Sequence, residues 1–518
     1  MPIEILVSLR TLAAVTALGA WLGFANPLLH FPPAALCLPL GLAFIGFRAI
    51  RARQALKAGW LAGTLAAAGC LYWIVVPVSL YGELPWYLAL PCPVLVSMVL
   101  GAYFGLYSLA MHWAGRKLPG PCVLLLAGAC WVLVEQLASF FLSGFPWLSL
   151  SAAFAVWPAA VQAASLVGAY GLSGLLACLA VSVLLWNTFT AARVLATGLT
   201  LFLALFGAWR MQSFTDEGRP LSLLLVQGNV EQSLKWDLAY QSGTVDKYLG
   251  LSRAGLAGLA AADPAKPKPD LVVWPETALP FYFQDPTPLR HRVAAFVEAA
   301  GLPLLTGAPG YVTLGQGPDF VLYNRAFLLD DRGLAAGTYD KEHLVPFGEY
   351  MPLGELVPLG KLLQGVGDFS PGRDQRPLRL GGVALGLLIC YEAIFPGLAQ
   401  ERVAQGANLL VNLSNDAWFG ETSAPRQHLN LARLRSVEQS RWLVRCTNTG
   451  ITCAIDPLGR IRAEAARLVP LSLHCTVAAR DERTAYHRLH WLWNFGPLAL
   501  AIGLFAWGCR RGRAGVRQ

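Results

Sequence analysis

One cysteine occupies a position at which many enzymes hold a nucleophile. Residues 383–389 are a short apolar run, typical of a buried strand, and Cys390 follows them directly. The segment after it, residues 393–396, can open a helix whose free N–H groups would favour a thiolate and a developing oxyanion. Because cysteine is also among the most frequently buried residues, Cys390 taken alone would more often be a packing residue than a nucleophile.

Two further predicted strand ends favour a catalytic role for Cys390 over a packing role. The apolar residues 271–273 lead into Trp274-Pro275-Glu276, and residues 339–349 place Lys341 in a polar segment after another predicted strand. A carboxylate can take the thiol proton and later activate the acyl acceptor, while an ammonium stabilises the tetrahedral oxyanion. Each motif alone also fits a strand end or a solvated loop. All three in this order resemble the Glu-Lys-Cys triad of the nitrilase (carbon-nitrogen hydrolase) superfamily.

The composition predicts the class of protein and the domains to which these residues belong. The chain has 518 residues, of which 55% are hydrophobic and 14% charged, and its mean hydropathy is +0.49. These values predict a membrane protein with more than one domain. Apolar runs dominate residues 1–210, residues 218–480 alternate strands with helices, and residues 488–509 are apolar again.

We therefore predict a polytopic α-helical membrane domain of seven spans, a nitrilase-like α/β sandwich (αββα) domain, and an eighth span with a basic tail. The first apolar run leads into others without a small-residue cleavage site, so we expect a span there and not a cleaved signal peptide. The eight predicted spans are residues 11–29, 33–48, 58–77, 88–111, 120–141, 158–186, 193–209 and 488–509.

Basic residues in the connecting loops predict the orientation. The loops after spans two, four, six and eight carry Arg or Lys, whereas those around His30, residues 81–86 and residues 143–157 carry neither. By the positive-inside rule both termini face the cytoplasm and residues 218–480 face outward. The net charge of +9 therefore mainly reflects topology. Because the basic residues are divided among loops and form no recognition motif, a nucleic-acid partner is not expected.

The cysteine pattern does not favour a metal or redox centre. None of the eleven cysteines forms a Cys-x-x-Cys pair. Cys446 and Cys453 lie in apolar, strand-like contexts that favour burial, with a disulfide between them as the alternative. His343 and His428 are interpreted as structural residues and not as metal ligands. We predict no cofactor.

Two features of the predicted membrane region indicate more than a helix surrounded by lipid. Glu135 lies inside the fifth span, where an ionisable side chain is costly unless it faces a polar partner, so it serves either helix packing or function. The outward loop at residues 141–148 mixes aromatic residues with Gly and Pro. Its Trp147, like Trp157, is either an interfacial anchor or part of a surface that guides a lipid tail.

Several motifs narrow the resemblance from superfamily to family. Together with seven spans, an outward domain and one closing span, they resemble the apolipoprotein N-acyltransferase family over essentially the whole chain. The motifs are Gln227-Gly228-Asn229, Lys235-Trp236-Asp237, Trp274-Pro275-Glu276-Thr277, His343 to Tyr350, Cys390-Tyr391-Glu392, Asn415-Asp416 with Trp418-Phe419-Gly420, and Thr447-Asn448-Thr449-Gly450.

This resemblance implies an enzyme of the bacterial inner membrane with its catalytic domain on the periplasmic side. It implies transfer of a fatty acyl group from a phospholipid, through a cysteine thioester, to the N-terminal α-amine of an S-diacylglyceryl cysteine in apolipoproteins. Glu276 would be the base, Lys341 the oxyanion partner and Cys390 the nucleophile. The family also implies supporting roles for other residues, although the two glutamates among them are equally consistent with structural ion pairs. These residues are Trp236, Asn324, Glu349, Tyr391 and Glu392.

Two other functions are kept beside acyl transfer. A membrane-tethered amidase or nitrilase would use the same triad with water as the acceptor. A non-catalytic transporter or scaffold would leave the triad without a purpose and is disfavoured. Residues 353–363 form either a membrane-dipping loop that admits lipid tails or a packed surface helix.

Overall fold

The computed structural model describes residues 8–82, 84–231, 237–263, 267–315, 319–350 and 369–514. An N-terminal helical region precedes an α/β domain, and a final helix follows it. The helices of the first region are α1 (Leu9–Gly23), α2 (Cys37–Arg48), α3 (Ala52–Cys70), α4 (Val75–Leu80), α5 (Trp86–Ala89), α6 (Pro91–Lys117), α7 (Gly120–Phe140), α8 (Leu150–Ala153), α9 (Ala164–Leu184) and α10 (Thr190–Ser213).

A helix lies at each of the eight positions where we predicted a span, but not all are long enough to cross a bilayer. Among the described residues, five helices have the necessary length and apolar composition, or six if the pair Ala52–Cys70 and Tyr72–Leu80, bent by 59°, counts as one. Helix α1 has 15 residues, which is about 22 Å against a hydrocarbon core of roughly 30 Å. The structure therefore supports fewer full-length spans than the eight predicted.

The short first helix has a local cause. Asn26 closes a turn directly after α1, because its side chain accepts the backbone N–H groups of Leu28 and Leu29 and donates to the Trp21 carbonyl. Pro32 then begins a 3₁₀ turn that leads into α2. An amide side chain in a turn and a proline at a helix start both interrupt a continuous helix, whatever the hydropathy around them.

Two six-stranded sheets form the α/β domain. Their orders are β12-β1-β2-β3-β4-β5 and β11-β10-β9-β8-β7-β6. The strands are β1 (Arg219–Gln227), β2 (Leu271–Val273), β3 (Leu304–Thr313), β4 (Phe320–Leu329), β5 (Ala335–Asp340), β6 (Leu378–Leu380), β7 (Val383–Ile389), β8 (Leu409–Ser414), β9 (Leu443–Thr447), β10 (Cys453–Ile455), β11 (Ile461–Glu464) and β12 (Leu471–Ala479).

Helices cover the outer face of each sheet, which confirms the predicted αββα sandwich. Helices α11 (Leu238–Ala262) and α12 (Pro288–Ala300) pack on the first sheet, and α13 (Pro396–Ala404) and α14 (Ala424–Gln439) on the second. The chain ends in α15 (Ala485–Arg488) and α16 (His490–Ala514).

The uniform hydrophobicity of β7 follows from its central position. Leu385, Leu387 and Ile389 point into the core between the sheets, while Leu388 faces the helices of the outer layer. A strand buried on both faces needs apolar residues at successive positions, not only at alternate ones. Strand β7 is parallel to β8, and β8 is parallel to β9, so their carboxyl ends meet at one edge.

Candidate active site

Cys390 lies at a sharp turn where β7 ends. Its φ of 52° is in the left-handed region, and a 3₁₀ turn, Cys390–Ile394, starts at the cysteine itself. For a residue with a side chain, this conformation costs roughly 1–2 kcal/mol. Such a cost persists only where the surrounding contacts hold the turn, which makes this cysteine different from a packing residue in a regular strand.

Glu276 lies at the end of β2 and is buried. The chain turns sharply there, with a φ of 44° at Thr277. A Cβ added at Gly307 of the neighbouring β3 would lie 2.8 Å from the Glu276 Cα and 2.5 Å from the Thr277 backbone nitrogen. Only glycine at position 307 lets the turn approach β3 this closely.

Lys341 follows β5 and joins Glu276 in a buried group that we call the acidic cluster, consisting of Glu276, Asn324, Lys341 and Glu349. The Lys341 Nζ lies 2.8 Å from Oε2 of Glu349 and 3.6 Å from Oε1 of Glu276. The Asn324 Nδ2 donates to Oε1 of both carboxylates, at 2.8 Å for Glu276 and 2.7 Å for Glu349. One ammonium and one amide thus hold two carboxylates together.

Electrostatics fix the charge of this lysine. Burial lowers the pKa of Lys341, but the carboxylates of Glu349 and Glu276 outweigh burial and raise it above its usual value. Lys341 is therefore a permanent cation. Its position among acceptors suits stabilisation of further negative charge nearby.

The Cys390 thiol is neutral in this environment. Burial is the largest influence on it, and with the Glu276 carboxylate it raises the pKa of Cys390 to about 12, against the opposing effects of Lys341 and a hydrogen bond to Ser414. At neutral pH the thiolate fraction is very small. A nucleophilic Cys390 would therefore need a base that takes its proton during the attack.

Glu392 joins the strand end of Cys390 to the Lys341 segment. Its carboxylate accepts the backbone N–H of Ile389 at 2.6 Å, that of Glu342 at 2.7 Å and that of His343 at 3.1 Å. The hydroxyl of Tyr339 donates to the same carboxylate at 2.9 Å. Burial raises the pKa of Glu392, with these hydrogen bonds and the charge of a nearby arginine acting against it. The carboxylate thus holds the backbone directly after Lys341, and the Tyr339 side chain before it, against the end of β7.

Tyr391 connects the turn to the helical region. Its hydroxyl donates to the Gly144 carbonyl at 2.7 Å, and its ring stacks near that of Phe145, with centroids 6.4 Å apart. The loop at residues 141–148 therefore reaches the candidate site itself. Trp147 of this loop is buried, so it is not an exposed interfacial anchor.

A second polar group lies behind the cysteine, and we call it the carbonyl network: Asn412, Asp416, His428 and Arg445. The Cys390 carbonyl accepts from His428 Nε2 at 3.1 Å and from Asn412 Nδ2 at 3.3 Å. Arg445 Nη2 lies 2.7 Å from Oδ2 of Asp416 and 3.0 Å from Nδ1 of His428. These contacts stabilise the unusual backbone conformation of Cys390.

His428 is held in one neutral form. A carbonyl can only accept, so Nε2 carries the proton. Nδ1 lies 3.0 Å from Arg445 Nη2, which can only donate, and 3.2 Å from Oδ1 of Asp416, which can only accept, and the closer arginine makes Nδ1 an acceptor. Burial, and then the positive charge of Arg445, lower the pKa of His428, although Asp416 acts in the opposite direction. Our interpretation of His428 as a structural residue agrees with this arrangement. We did not predict its link to Cys390, and its only sequence signal is the Asn415-Asp416 motif after β8.

Trp236 and residues 353–363 lie outside the described residues, so both predictions about them stand as they were made. Cys446 and Cys453 are both free and buried, which makes the alternative of a disulfide between them wrong. Each belongs to a separate strand core, Cys446 between the sheets and Cys453 beneath the outer helices. Across the described residues, no group of three or more His, Cys, Asp or Glu could hold a metal ion.

Known proteins resemble the chain along most of its length. Residues 16–182 match the model for the apolipoprotein N-acyltransferase N-terminal domain, and residues 225–470 match the carbon-nitrogen hydrolase model. An apolipoprotein N-acyltransferase of Geobacter metallireducens is 37% identical, covering 90% of this chain and 86% of its own. One from Azotobacter vinelandii is 35% identical and covers 96% and 94% respectively.

The chain belongs to the apolipoprotein N-acyltransferase family. Its membership confirms the family resemblance predicted from the motifs, and it makes the chain an acyltransferase with a carbon-nitrogen hydrolase domain and a membrane domain. Among solved structures, a carbon-nitrogen hydrolase from Helicobacter pylori G27 is similar at 17% identity with a TM-score of 0.36, over 54% of this chain and 94% of that one.

Proposed function

We propose that this member of the family transfers a fatty acyl group from a membrane phospholipid to the N-terminal α-amine of an S-diacylglyceryl cysteine in apolipoproteins. The observation that carries the proposal is the position of the site. A buried Glu-Lys-Cys arrangement lies at strand ends, and the residue beside the cysteine, Tyr391, bonds to a loop of the membrane domain. Two lipid-anchored substrates can reach such a site without leaving the bilayer.

In the first step, Cys390 attacks the phospholipid ester. Glu276 accepts the thiol proton as Sγ bonds to the carbonyl carbon, and the carbonyl oxygen becomes an oxyanion beside the Lys341 ammonium. Collapse of this intermediate breaks the ester C–O bond. The lysophospholipid leaves as an alcohol with the proton from Glu276, and the acyl group remains on Cys390 as a thioester.

In the second step, the lipoprotein amine attacks the thioester. Glu276 accepts a proton from the amine, a second oxyanion forms beside Lys341, and the C–S bond breaks. The cysteine sulfur recovers the proton, and the acyl group leaves as an amide. A thioester reacts readily with an amine, whereas the product amide does not react back with the thiol. The acyl group is therefore transferred from the cysteine to the amine and not in the reverse direction.

We assign the remaining residues to positioning roles. Asn324 and Glu349 would hold Lys341 and Glu276 at a fixed separation, which is supported by the hydrogen bonds that Asn324 donates to both carboxylates. Glu392 would align the Lys341 segment with Cys390, and Tyr391 would keep the turn at the membrane loop. Trp236 is proposed as a substrate-contacting residue on the family resemblance alone.

We further propose that the chain resides in the bacterial inner membrane with residues 218–480 on the periplasmic side. The support is the distribution of Arg and Lys among the connecting loops, together with apolar helices directly before and after the catalytic domain. Phospholipids and diacylglyceryl apolipoproteins would then be its partners.

The orientation can be tested with single cysteines in a Cys509→Ser background, because Cys509 is exposed whereas all four cysteines of the catalytic domain are buried. An impermeant maleimide on intact spheroplasts should label Lys268→Cys, an exposed position of the catalytic domain, but not Lys57→Cys, an exposed position near the start of α3. The reverse pattern would reject the proposed orientation.

The reaction is tested by incubating purified protein with radiolabelled phospholipid, first alone and then with a diacylated lipopeptide. Acyl transfer predicts a labelled protein in the first stage and labelled lipopeptide in the second. Rapid release of free fatty acid without any amine would instead indicate the membrane-tethered hydrolase.

A further inference from the structure

Helix α14 is polar in sequence yet buried along nearly its whole length. Apart from Arg426, all its residues are buried, including Gln427, His428 and Glu438. It packs against both the membrane helices and the catalytic turn. Burying so many polar groups is costly unless each one has partners, so those partners indicate what the helix does.

Gln427 binds three separate parts of the membrane domain through one amide group. Its Oε1 accepts the indole N–H of Trp73 at 3.0 Å and that of Trp147 at 2.7 Å. Its Nε2 donates to the carbonyls of Ala25 at 2.8 Å and Cys70 at 3.1 Å. These partners are the chain after α1, the junction of α3 with α4, and the loop before α8, which are all places where helices end.

The next residue, His428, binds the catalytic turn. Its Nε2–H donates to the Cys390 carbonyl, and its other nitrogen contacts Arg445 and Asp416. The ring of Trp147 lies against that of His428, with centroids 5.6 Å apart. Two consecutive residues of one helix therefore connect the ends of three membrane segments to the backbone of the nucleophile.

We propose that Gln427 and His428 are positioning residues through which the membrane domain sets the orientation of Cys390. The inference rests on Cys390 being the nucleophile of the proposed reaction. Gln427 fixes the start of α14 on the membrane helices, and His428 transmits that position to the Cys390 carbonyl. The left-handed φ of Cys390 persists because the carbonyl is held on this side while Glu392 holds the preceding strand.

A matched control is available within the chain. Gln162 is also a fully buried glutamine at the domain boundary, and its Nε2 donates to the Leu458 carbonyl of the catalytic domain at 2.9 Å. Neither this carbonyl nor its other acceptor, on Pro158, belongs to the carbonyl network. Gln162→Leu removes an interdomain hydrogen bond of the same type without touching Cys390.

The experiment compares Gln427→Leu, His428→Leu, His428→Gln and Gln162→Leu in full-length protein. Two rates are measured: acylation of Cys390 by labelled phospholipid, and alkylation of Cys390 by iodoacetamide, followed by mass spectrometry of its peptide. A displacement of about 1 Å can reduce a rate on the order of 100-fold. We expect losses of that order in kcat for Gln427→Leu and His428→Leu, with KM for phospholipid unchanged.

The remaining variants distinguish positioning from general loosening. His428→Gln keeps an N–H donor and should recover most of the rate, while Gln162→Leu should stay within about twofold of wild type at a similar loss of thermal stability. The double change Gln427→Leu with His428→Leu should be no slower than His428→Leu alone, because both act through one contact.

Wild-type rates in Gln427→Leu, or equal slowing in Gln162→Leu, would overturn the positioning role. The alkylation arm does not depend on the natural substrate. A wild-type protein that forms no acyl-enzyme but shows the predicted alkylation pattern would therefore reject the proposed function while leaving the positioning inference intact.

Discussion

Two polar groups meet at Cys390, and they differ in how their charges are balanced. The acidic cluster has one cation for two carboxylates, with Lys341 shared between Glu276 and Glu349. The carbonyl network has one cation for one carboxylate, Arg445 for Asp416, and its histidine is neutral. The acidic cluster therefore has a carboxylate that can take a proton, whereas the carboxylate of the carbonyl network is fully paired with its arginine.

This difference in charge balance distinguishes residues that take part in the reaction from residues that hold the backbone in place. A group that must change charge during a reaction needs an uneven balance and a nearby cation. A group that must hold a backbone in place needs complete pairing, because an unpaired buried charge is costly. Changes in the acidic cluster should therefore lower the rate with little loss of stability. Changes in the carbonyl network should lower stability, and they should slow the reaction only by moving Cys390.

The largest rate effect is expected from Glu276→Gln. The amide cannot accept the thiol proton, so acylation of Cys390 should slow on the order of 10²- to 10⁴-fold with little change in thermal stability. Single-turnover labelling with phospholipid measures the rate. A loss below about tenfold would mean that another group is the base.

Lys341→Met should have the second-largest effect on the rate. Acylation should slow on the order of 10²- to 10³-fold, because the oxyanion loses its cation. The matched change in the carbonyl network is Arg445→Met, which leaves Asp416 buried without its cation. Thermal unfolding of that variant should show a loss of about 3–5 kcal/mol. An Arg445→Met protein as stable as wild type would contradict the role of this pair in holding the backbone.

Glu349→Gln should have an intermediate effect of about tenfold on the rate. The change weakens one charge-assisted hydrogen bond to Lys341, typically about 1.5–3 kcal/mol, while Glu276 still lies beside the ammonium. Steady-state kinetics should show the loss in kcat. An effect as large as that of Glu276→Gln would indicate that Glu349 exchanges protons itself.

The smallest effect is expected at Ser414, which contacts both Asp416 and Cys390. Its hydroxyl donates to Asp416 at 2.9 Å and lowers the pKa of Cys390. Ser414→Ala should raise that pKa further, so the thiolate fraction at a fixed pH falls and alkylation slows about threefold.

The rate of Cys390 alkylation should increase with pH. Because the pKa of Cys390 is raised to about 12, the thiolate fraction grows with pH. The alkylation rate should therefore rise about tenfold per pH unit up to roughly pH 10, in both wild type and Ser414→Ala. A plateau near neutral pH would show that the thiolate is already formed.

The sequence was most informative where chemistry lies at strand ends. Glu276 and Cys390 each follow an apolar run whose length matches a buried strand, and the strand order then places them near Lys341. The αββα sandwich could be predicted for the same reason. Local patterns carry this information because a buried parallel strand needs a continuous apolar run.

The carbonyl network could not be predicted in this way. Asp416, His428 and Arg445 belong to the turn after β8, to α14 and to β9, and only the packing of these elements brings them together. Helix α14 has a polar sequence and is nevertheless buried between domains, and the sequence alone does not show which elements cover it. The short α1 was missed because a hydropathy window does not register the turn that Asn26 closes.

The most direct test of the account is the fate of the acyl group on Cys390. Wild-type protein given labelled phospholipid alone should carry one acyl group on the Cys390 peptide, release little free fatty acid, and transfer the label to a diacylated lipopeptide once it is added. Cys390→Ser should carry none, because an alkoxide is far harder to generate than a thiolate. Label on another residue, persistent acylation of Cys390→Ser, or loss of label to water before the amine arrives would contradict the account.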